Sequence, residues 1–248
     1  MHEASLWKEN CFVTLTYERD RLPPDSSLFH RDFQLFMKRL RKRFGGRKIR
    51  FYMCGEYGEL NQRPHFHACL FNVDFRADRV AQGKSASGEL FFDSALLREI
   101  WGFGRVSVQD LTNETASYCA RYVMKKVTGD AAEAHYSEVT PDGEVIRRRP
   151  EYAAMSLKPG IGAGWLDRYR RDVFPHDFVV SRGARRTTPR YYTRLAERID
   201  PQAMEHVKFL RGERAKAYRE DQTPERLAVR EEVHLARVSK LKRSYNAD

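Results

Sequence analysis

The sequence has 248 residues, of which 41% are hydrophobic, and a formal net charge of +11. This length allows one substantial hydrophobic core with an appendage, and the charge favours a polyanionic partner, nucleic acid first and an acidic membrane surface second. Since the sequence has no apolar run of about 18 residues and no hydrophobic signal core, we expect a soluble, non-secreted protein without a membrane partner.

The first predicted elements are a strand and a cationic helix. The segment from Cys11 to Thr16 is rich in β-branched and aromatic residues, which is typical of a strand. From Leu28 to Phe44 apolar residues recur at helical spacing, and two glycines follow. The outward side of this helix is rich in Lys and Arg between residues 38 and 43. A solvated surface is the ordinary interpretation, and phosphate contact is the alternative.

Two strands then form a predicted antiparallel hairpin with a pair of histidines. Residues 49–55 predict one strand, and residues 63–71 alternate apolar side chains with His65 and His67. Side chains two apart on a strand share a face, at about 7 Å, so two imidazoles can converge on one ion. The alternative is an ordinary strand with two surface histidines.

The hairpin would bring a carboxylate beside the histidines. Glu56 lies at the end of the first strand, and we prefer it as the third metal ligand, with Glu59 as its rival. Two imidazoles, one carboxylate and open coordination positions suit catalytic Mg²⁺ or Mn²⁺. A zinc site that includes Cys69 is less favoured, because Cys69 would lie about 13 Å along the strand from His65.

The following segments complete the predicted fold class. Residues 74–88 are polar and loop-like, Asp93 is the predicted cap of a short helix that ends at Trp101, and residues 105–111 alternate as a strand. Strands and helices are therefore intermixed, with hairpin-like neighbours. This order predicts an α+β fold with a central antiparallel sheet flanked by helices.

A helix with two tyrosines is predicted next, from Asn113 as the N-cap to about Val127. On a helical wheel the small residues form the predicted buried stripe: Ala116, Ala120, Val123 and Val127. Tyr118, Tyr122 and Lys125 cluster on the opposite side and are expected to face solvent.

Two interpretations of the tyrosine pair are open. One is two amphipathic side chains at the rim of a domain. The other is two alternative nucleophiles, because side chains at i and i+4 can reach one phosphate site. A phenol has a pKa near 10, so Lys125 or the metal would be needed to favour the phenolate, and the ion would polarise the phosphate.

At these residues the sequence resembles the HUH-endonuclease replication initiators, most closely those of the small single-stranded DNA phages, the gokushovirus branch of the microviruses. Three motifs occur in the family's order: FVTLT at 12–16, PHFHACL at 64–70 and YCARYVMKK at 118–126. The segment MSLKPGIGAGW at 155–165 is also similar to a stretch in these phage proteins. The resemblance covers about residues 11–170, and the paired tyrosines indicate the two-tyrosine class.

The resemblance implies a role for each site residue. His65 and His67 would bind the divalent ion with Glu56, whereas Tyr118 and Tyr122 would be the nucleophiles and Lys125 their cationic partner. The implied fold is an antiparallel sheet of about five strands, with the histidines on a central strand and the tyrosine helix nearby.

The resemblance also implies the reaction and its setting. The family nicks single-stranded origin DNA, leaving a 5′-phosphotyrosyl link and a free 3′-OH that primes rolling-circle synthesis. The second tyrosine then cleaves the regenerated site, and the displaced strand is rejoined. We therefore expect as partners a hairpin or unwound origin and the host helicase or replication machinery, in the cytoplasm of a bacterial host.

Other function classes fit less well. A non-enzymatic single-stranded DNA-binding or packaging protein would not need the histidine and tyrosine motifs intact. A related HUH transposase would typically be shorter and have one tyrosine, and a relaxase would generally use three histidines.

The C-terminal quarter differs in composition from the rest. We predict an endonuclease domain over residues 1–180 and a basic, mainly helical extension over 181–248, which holds 17 Lys and Arg against 10 Asp and Glu. Two charged helices are predicted, at about 189–219 and 224–242. The extension is either a solvated appendage or an arm that contacts flanking DNA or a host partner.

The four cysteines are scattered, and no two of them form a Cys-x-x-Cys pair: Cys11, Cys54, Cys69 and Cys119. Free, partly buried thiols in a reducing compartment are therefore expected.

Overall fold

The computed structural model describes residues 1–58, 61–85, 88–121, 126–139 and 142–240. Within these ranges the chain forms two compact units, one of Met1–Ile161 and one of Gly162–Arg243. The endonuclease domain over residues 1–180 stays a prediction. No helix in the described ranges is long and apolar enough to span a bilayer.

A seven-stranded sheet in the order β4-β5-β6-β1-β3-β2-β9 forms the centre of the first unit, and all its pairings are antiparallel. The strands of this unit are β1 Asn10–Thr16, β2 Arg50–Tyr57, β3 Pro64–Phe71, β4 Arg79–Lys84, β5 Leu90–Ser94, β6 Val106–Asp110, β7 Ser137–Val139, β8 Val145–Arg147 and β9 Tyr152–Met155. β7 and β8 pair separately. The predicted α+β class and central antiparallel sheet are confirmed, and the sheet holds seven strands where about five were expected.

The extra strands include one that the sequence analysis placed in a loop. β4 lies inside the segment 74–88 and forms one edge of the sheet. Most of its side chains are exposed. Edge strands need no buried face, so β4 lacks the alternation of apolar residues by which a half-buried strand is recognised.

Helices pack on both faces of this sheet. The α-helices described in the first unit are α1 His30–Arg43, α2 Ala95–Trp101, α3 Asn113–Arg121 and α4 Ala131–Tyr136. α1 and α2 cover one face, where Phe36 and Trp101 pack with Phe66 in the main core. The side chain of Ser94, not the predicted Asp93, caps α2 by accepting from the backbone N–H of Leu97. The opposite face carries a smaller apolar cluster that includes residues of α3.

The cations of α1 are partly occupied by the protein itself. The guanidinium of Arg39 donates to the carbonyl oxygens of Ile100 and Trp101, at 2.6 and 2.7 Å, which satisfies carbonyl groups at the end of α2. Arg41 donates to the carbonyl oxygen of Ile49. These two arginines therefore have structural roles, unlike the phosphate contacts considered from the sequence.

The second unit is mainly helical. Its elements are α5 Ala163–Val173, β10 Phe178–Ser181, β11 Ala184–Thr187, α6 Arg190–Ile199, α7 Pro201–Lys216 and α8 Pro224–Ser239. The single helix predicted over 189–219 is wrong, because the chain breaks at Asp200, whose φ of −145° is not helical. The Asp200 carboxylate accepts from the backbone N–H of Ala203 at 3.0 Å, and Pro201 occupies the first position of α7.

Candidate metal centre

The pairing of β2 with β3 brings two histidines and a carboxylate together. Glu56 lies opposite His65 in the register, and the neighbouring pair on this side is Cys54 and His67. Since side chains alternate along a strand, His65 and His67 share one face, and Phe66 points to the opposite face, into the core. The predicted hairpin is therefore present, and it places Glu56 beside both imidazoles.

The three side chains converge on one point. The Oε1 atom of Glu56 lies 2.6 Å from Nε2 of His65 and 2.8 Å from Nε2 of His67. One ligand atom from each residue lies within 4.8 Å of the other two. All three side chains are buried, and His67 has no exposed surface. Among the described residues this is the one group of His, Cys, Asp or Glu with spacing suitable for a metal ion.

Hydrogen bonds on the far side of each ring fix its orientation. Nδ1 of His65 donates to the carbonyl oxygen of Arg63 at 3.0 Å, and Nδ1 of His67 lies 2.9 Å from the hydroxyl of Thr14. A carbonyl oxygen can only accept, so the proton of neutral His65 lies on Nδ1 and its Nε2 has a free lone pair. Ligating histidines are usually held this way.

Glu56 stays ionised despite its burial. Burial by itself disfavours the charged carboxylate, but the charge of His67 and hydrogen bonds from both histidines outweigh burial and lower the pKa of Glu56 to about 2. The site thus offers one anionic oxygen and two imidazole nitrogens. These donors are suitable for a divalent cation with open coordination positions.

Tyr118 lies against this group of residues. Its ring centroid is 5.0 Å from that of His67, at an interplanar angle of 85°, and 6.3 Å from that of Phe12. Only 4% of Tyr118 is exposed. The structure therefore brings one of the two predicted nucleophiles to the histidine pair.

The predicted orientation of the tyrosine helix is wrong. The buried residues of α3 are Thr115, Tyr118 and Cys119, whereas Ala120 is exposed. A helical wheel ranks side chains by apolar character and assumes an apolar face beneath the helix. The sheet here presents His67 beside Phe12, and an amphipathic phenol ring packs against this mixed surface better than alanine does.

Three residues of the sequence analysis lie outside the described residues. They are Tyr122 and Lys125, which follow the described part of α3, and Glu59, the rival third ligand. Their roles stay as stated from the sequence. The buried stripe predicted at Val123 also lies outside.

The cysteines are all free and buried. Burial raises the pKa of the Cys11 and Cys119 thiols well above the usual value, so both are protonated at neutral pH. Cys69 packs in the small cluster between the sheet and α3, outside the group with metal-ligand spacing.

An open groove of about 460 Å³ adjoins the histidine pair on the same face of the sheet. Its wall includes His65 at one end, together with side chains that the sequence analysis did not assign: Thr14, Thr16, Ser107, Phe91, Arg63 and Arg105. The groove thus offers hydroxyl groups, an aromatic ring and guanidinium groups next to the candidate ligands. The alternation of Thr14 and Thr16 in β1 was a signal that could have identified this face.

The sequence comparisons are consistent with this geometry. A family model for the replication-associated protein ORF2 matches residues 10–127. These residues include β1, β3 and α3, which carry the groove, the histidines and Tyr118. No solved structure matches the chain.

Three phage proteins are similar over most of the chain. The replication-associated protein VP4 of Bdellovibrio phage phiMH2K is 33% identical over 77% of this chain and 59% of its own length. The replication-associated protein ORF4 of Chlamydia phage 1 is 30% identical over 79% of this chain and 48% of its own length. For the replication-associated protein ORF2 of Spiroplasma virus 4 the identity is 29%, over 77% of this chain and 59% of its own length.

The chain thus spans about half to three fifths of the length of these curated relatives. The match nevertheless includes both the family region and the candidate metal centre. By these similarities, the chain belongs to the replication-associated proteins of the microvirus-like phages.

Proposed function

We propose that this protein initiates phage DNA replication by nicking single-stranded origin DNA through tyrosine attack. The observation that carries the proposal is the contact of Tyr118 with His67, since it puts a phenol next to a group of potential metal ligands. In the reaction the Tyr118 oxygen attacks the scissile phosphorus and the bond to the 3′ oxygen breaks. The products are a 5′-phosphotyrosyl link and a 3′-OH that has gained a proton.

Glu56, His65 and His67 would hold the divalent ion, Mg²⁺ or Mn²⁺. Their fit rests on the ring orientations set by Arg63 and Thr14 and on the ionised state of Glu56. A bound ion would supply Lewis-acid polarisation of the phosphate and would keep it in position. The protein's own contribution is to fix three donors on two paired strands, so that the site is formed before DNA arrives.

Tyr122 and Lys125 would complete the reaction cycle. A tyrosine one helical turn beyond Tyr118 can reach the same phosphate position, so Tyr122 would cut the regenerated origin while the displaced strand is rejoined. A lysine ammonium near the phenol would favour its deprotonated, nucleophilic form. Both assignments rest on the sequence motif, whereas the assignment of Tyr118 also rests on its contact with His67.

The substrate strand would lie in the groove beside His65. Arg63 and Arg105 can contact phosphates, Phe91 can stack on a base, and the hydroxyl groups can bond sugar or base edges. The net charge of +11 supports a polyanionic substrate. A hairpin or unwound origin is therefore the proposed DNA partner, with the host helicase or replication machinery as a further one, in the cytoplasm of the bacterial host.

A denaturing gel tests the proposed reaction. An origin oligonucleotide labelled at its 3′ end is incubated with the full chain and Mn²⁺, and the label should then migrate with the protein because the tyrosine keeps the 5′ phosphate of the downstream fragment. Chelation of the metal should abolish this product. Binding without any covalent product, over a set of origin sequences, would instead indicate a non-enzymatic DNA-binding protein.

A further inference from the structure

The second unit contains a cavity of about 500 Å³ between the segment that leads into β10, the strand β11 and the helix α7. Four of the side chains on its wall are basic: His176, Arg185, His206 and Arg214. His206 and Arg214 are two turns apart on α7 and share one face of that helix. The cavity has the size of a small-ligand site, and the basic side chains on its wall favour an anion.

The acidic side chain on this wall, Asp177, is already neutralised. Arg211, which is not part of the wall, holds it with two hydrogen bonds, from Nε at 2.7 Å and from Nη2 at 2.6 Å. Arg211 also donates to the hydroxyl of Thr193. The hydrogen bonds from Arg211 keep the pKa of Asp177 below its usual value. An anion entering the cavity would therefore meet a carboxylate whose charge is compensated.

Two arginines on the wall retain their donors for a ligand. The guanidinium of Arg185 lies 4.5 Å from the ring centroid of Phe178. Stacking of this kind orients the planar group without using its N–H donors. Within the described part of the second unit, neither Arg185 nor Arg214 forms an ion pair with an acidic side chain. Both arginines are exposed.

We propose that this cavity binds a backbone phosphate of single-stranded DNA, so that the second unit holds the strand independently of its sequence. Guanidinium groups match the geometry of phosphate oxygens and can bond them in pairs. The net charge of +7 on residues 181–248 would attract the strand toward the unit. Naming DNA as the source of the phosphate rests on the proposed function. A free phosphate or nucleotide has the same chemistry, so the test must separate these sources.

The test compares Arg185→Gln/Arg214→Gln with the control Arg194→Gln/Arg198→Gln. The control removes the same charge from positions on α6 that are not on the cavity wall. Affinity of the full chain for an oligothymidylate is measured by fluorescence anisotropy at several salt concentrations. Each phosphate contact in a single strand contributes about 0.7 to the slope of log K against log salt. The cavity variant should lose about 0.7 of slope and bind about fivefold more weakly at 0.1 M salt.

An equal slope in the cavity variant and the control would overturn the proposal. Circular dichroism and thermal melting check that both variants fold, and Arg185→Lys/Arg214→Lys, which keeps the charge and loses the planar donors, should lie between the cavity variant and the unmodified chain. Calorimetry with inorganic phosphate and thymidine monophosphate covers the other source. If the cavity variant loses binding of these small anions but keeps the full oligothymidylate slope, the assignment to DNA is overturned.

The cavity and the nicking reaction can fail separately. A slope that depends on Arg185 and Arg214, in a protein that never forms a covalent product, would overturn the proposed nicking and leave the phosphate site in place. A covalent product, together with equal slopes for the cavity variant and the control, would overturn the phosphate site alone.

Discussion

The ring of Tyr118 meets the ring of His67 edge to face, with their centroids 5.0 Å apart. The tyrosine comes from α3 and the histidine from β3, which are 51 positions apart in the sequence. His67 also contacts Thr14 and Glu56. One histidine therefore joins the candidate nucleophile to the candidate metal ligands.

Removal of the tyrosine hydroxyls should abolish covalent attachment to DNA without unfolding the protein. Tyr118→Phe keeps the ring that packs on His67 and Phe12, so the free energy of unfolding should change by no more than about 1 kcal/mol. Tyr118→Phe/Tyr122→Phe should reduce adduct formation at least about 10³-fold, because no phenol oxygen remains to attack. Tyr191→Phe, at a partly exposed tyrosine of the second unit, is the matched control. An adduct that persists in the double variant would show that another residue is the nucleophile.

Neutralisation of the carboxylate should weaken metal binding. Glu56→Gln keeps the shape of the side chain but removes the anionic oxygen that lies between the two Nε2 atoms. Mn²⁺ affinity, measured by calorimetry, should fall at least about tenfold. Glu213→Gln, at a carboxylate that pairs with Lys216 on α7, is the control and should leave the affinity unchanged. Equal affinities for both variants would remove Glu56 from the ligand set and leave Glu59 as the alternative.

The hydroxyl of Thr14 should matter for metal affinity because it orients one of the candidate ligands. Thr14→Val removes the partner of Nδ1 of His67, so the ring loses its fixed orientation. Losses of about 10- to 100-fold in metal affinity are usual for such partners. Thr16→Val, two residues along the same face of β1, is the control. If both variants bind Mn²⁺ equally well, the orientation of His67 does not depend on Thr14.

Gly104 should tolerate no side chain. Its φ is +149°, and a Cβ atom would lie 2.4 Å from the backbone nitrogen of Glu18 and 2.7 Å from the carbonyl oxygen of Thr16. Gly104→Ala should therefore cost about 3 kcal/mol or more of unfolding free energy, since backbone atoms must move apart. Gly46→Ala, at a φ of +84° with open space around it, should cost about 1 kcal/mol. Urea unfolding measures both values, and equal costs would contradict the close approach.

The ion pair of Asp177 and Arg211 should make part of the stability depend on acid pH. Hydrogen bonds from Arg211 lower the pKa of Asp177 in the folded state. A lowered pKa stabilises the fold at pH values above the unfolded-state pKa of about 3.9, and this contribution is lost as pH falls through the folded-state pKa. Asp177→Asn should thus lower the melting temperature at pH 6, and the difference from the unmodified chain should shrink below about pH 4. A difference that stays constant down to about pH 2 would show that the pair contributes nothing through ionisation.

The parts of the fold that follow from local periodicity could be predicted from the sequence. The alternation in residues 65–70 identified β3, and a short connection to β2 implied the hairpin that places Glu56 beside both histidines. Edge strand β4 escaped prediction because its polar side chains need no buried face. The break between α6 and α7 had a signal in Asp200 and Pro201, an N-cap followed by proline, which the overall charge pattern obscured.

The direction of Tyr118 could not be obtained from the sequence of its helix. A wheel places residues around an axis, but the rotation of α3 depends on the surface that the sheet offers. That surface combines Phe12, His67 and Cys54 from three different strands. The groove residues Phe91 and Ser107 were hidden for the same reason, because only the order of strands in the sheet places them near His65.

The most direct test of the account is mass spectrometry of the protein after reaction with an origin oligonucleotide and Mn²⁺, followed by nuclease and protease digestion. The account predicts a phosphonucleotide attached through oxygen to Tyr118, or to Tyr122 in the second step, and its loss when His67 is replaced by alanine. A modified residue elsewhere in the chain, or cleaved DNA without any modified tyrosine, would contradict it.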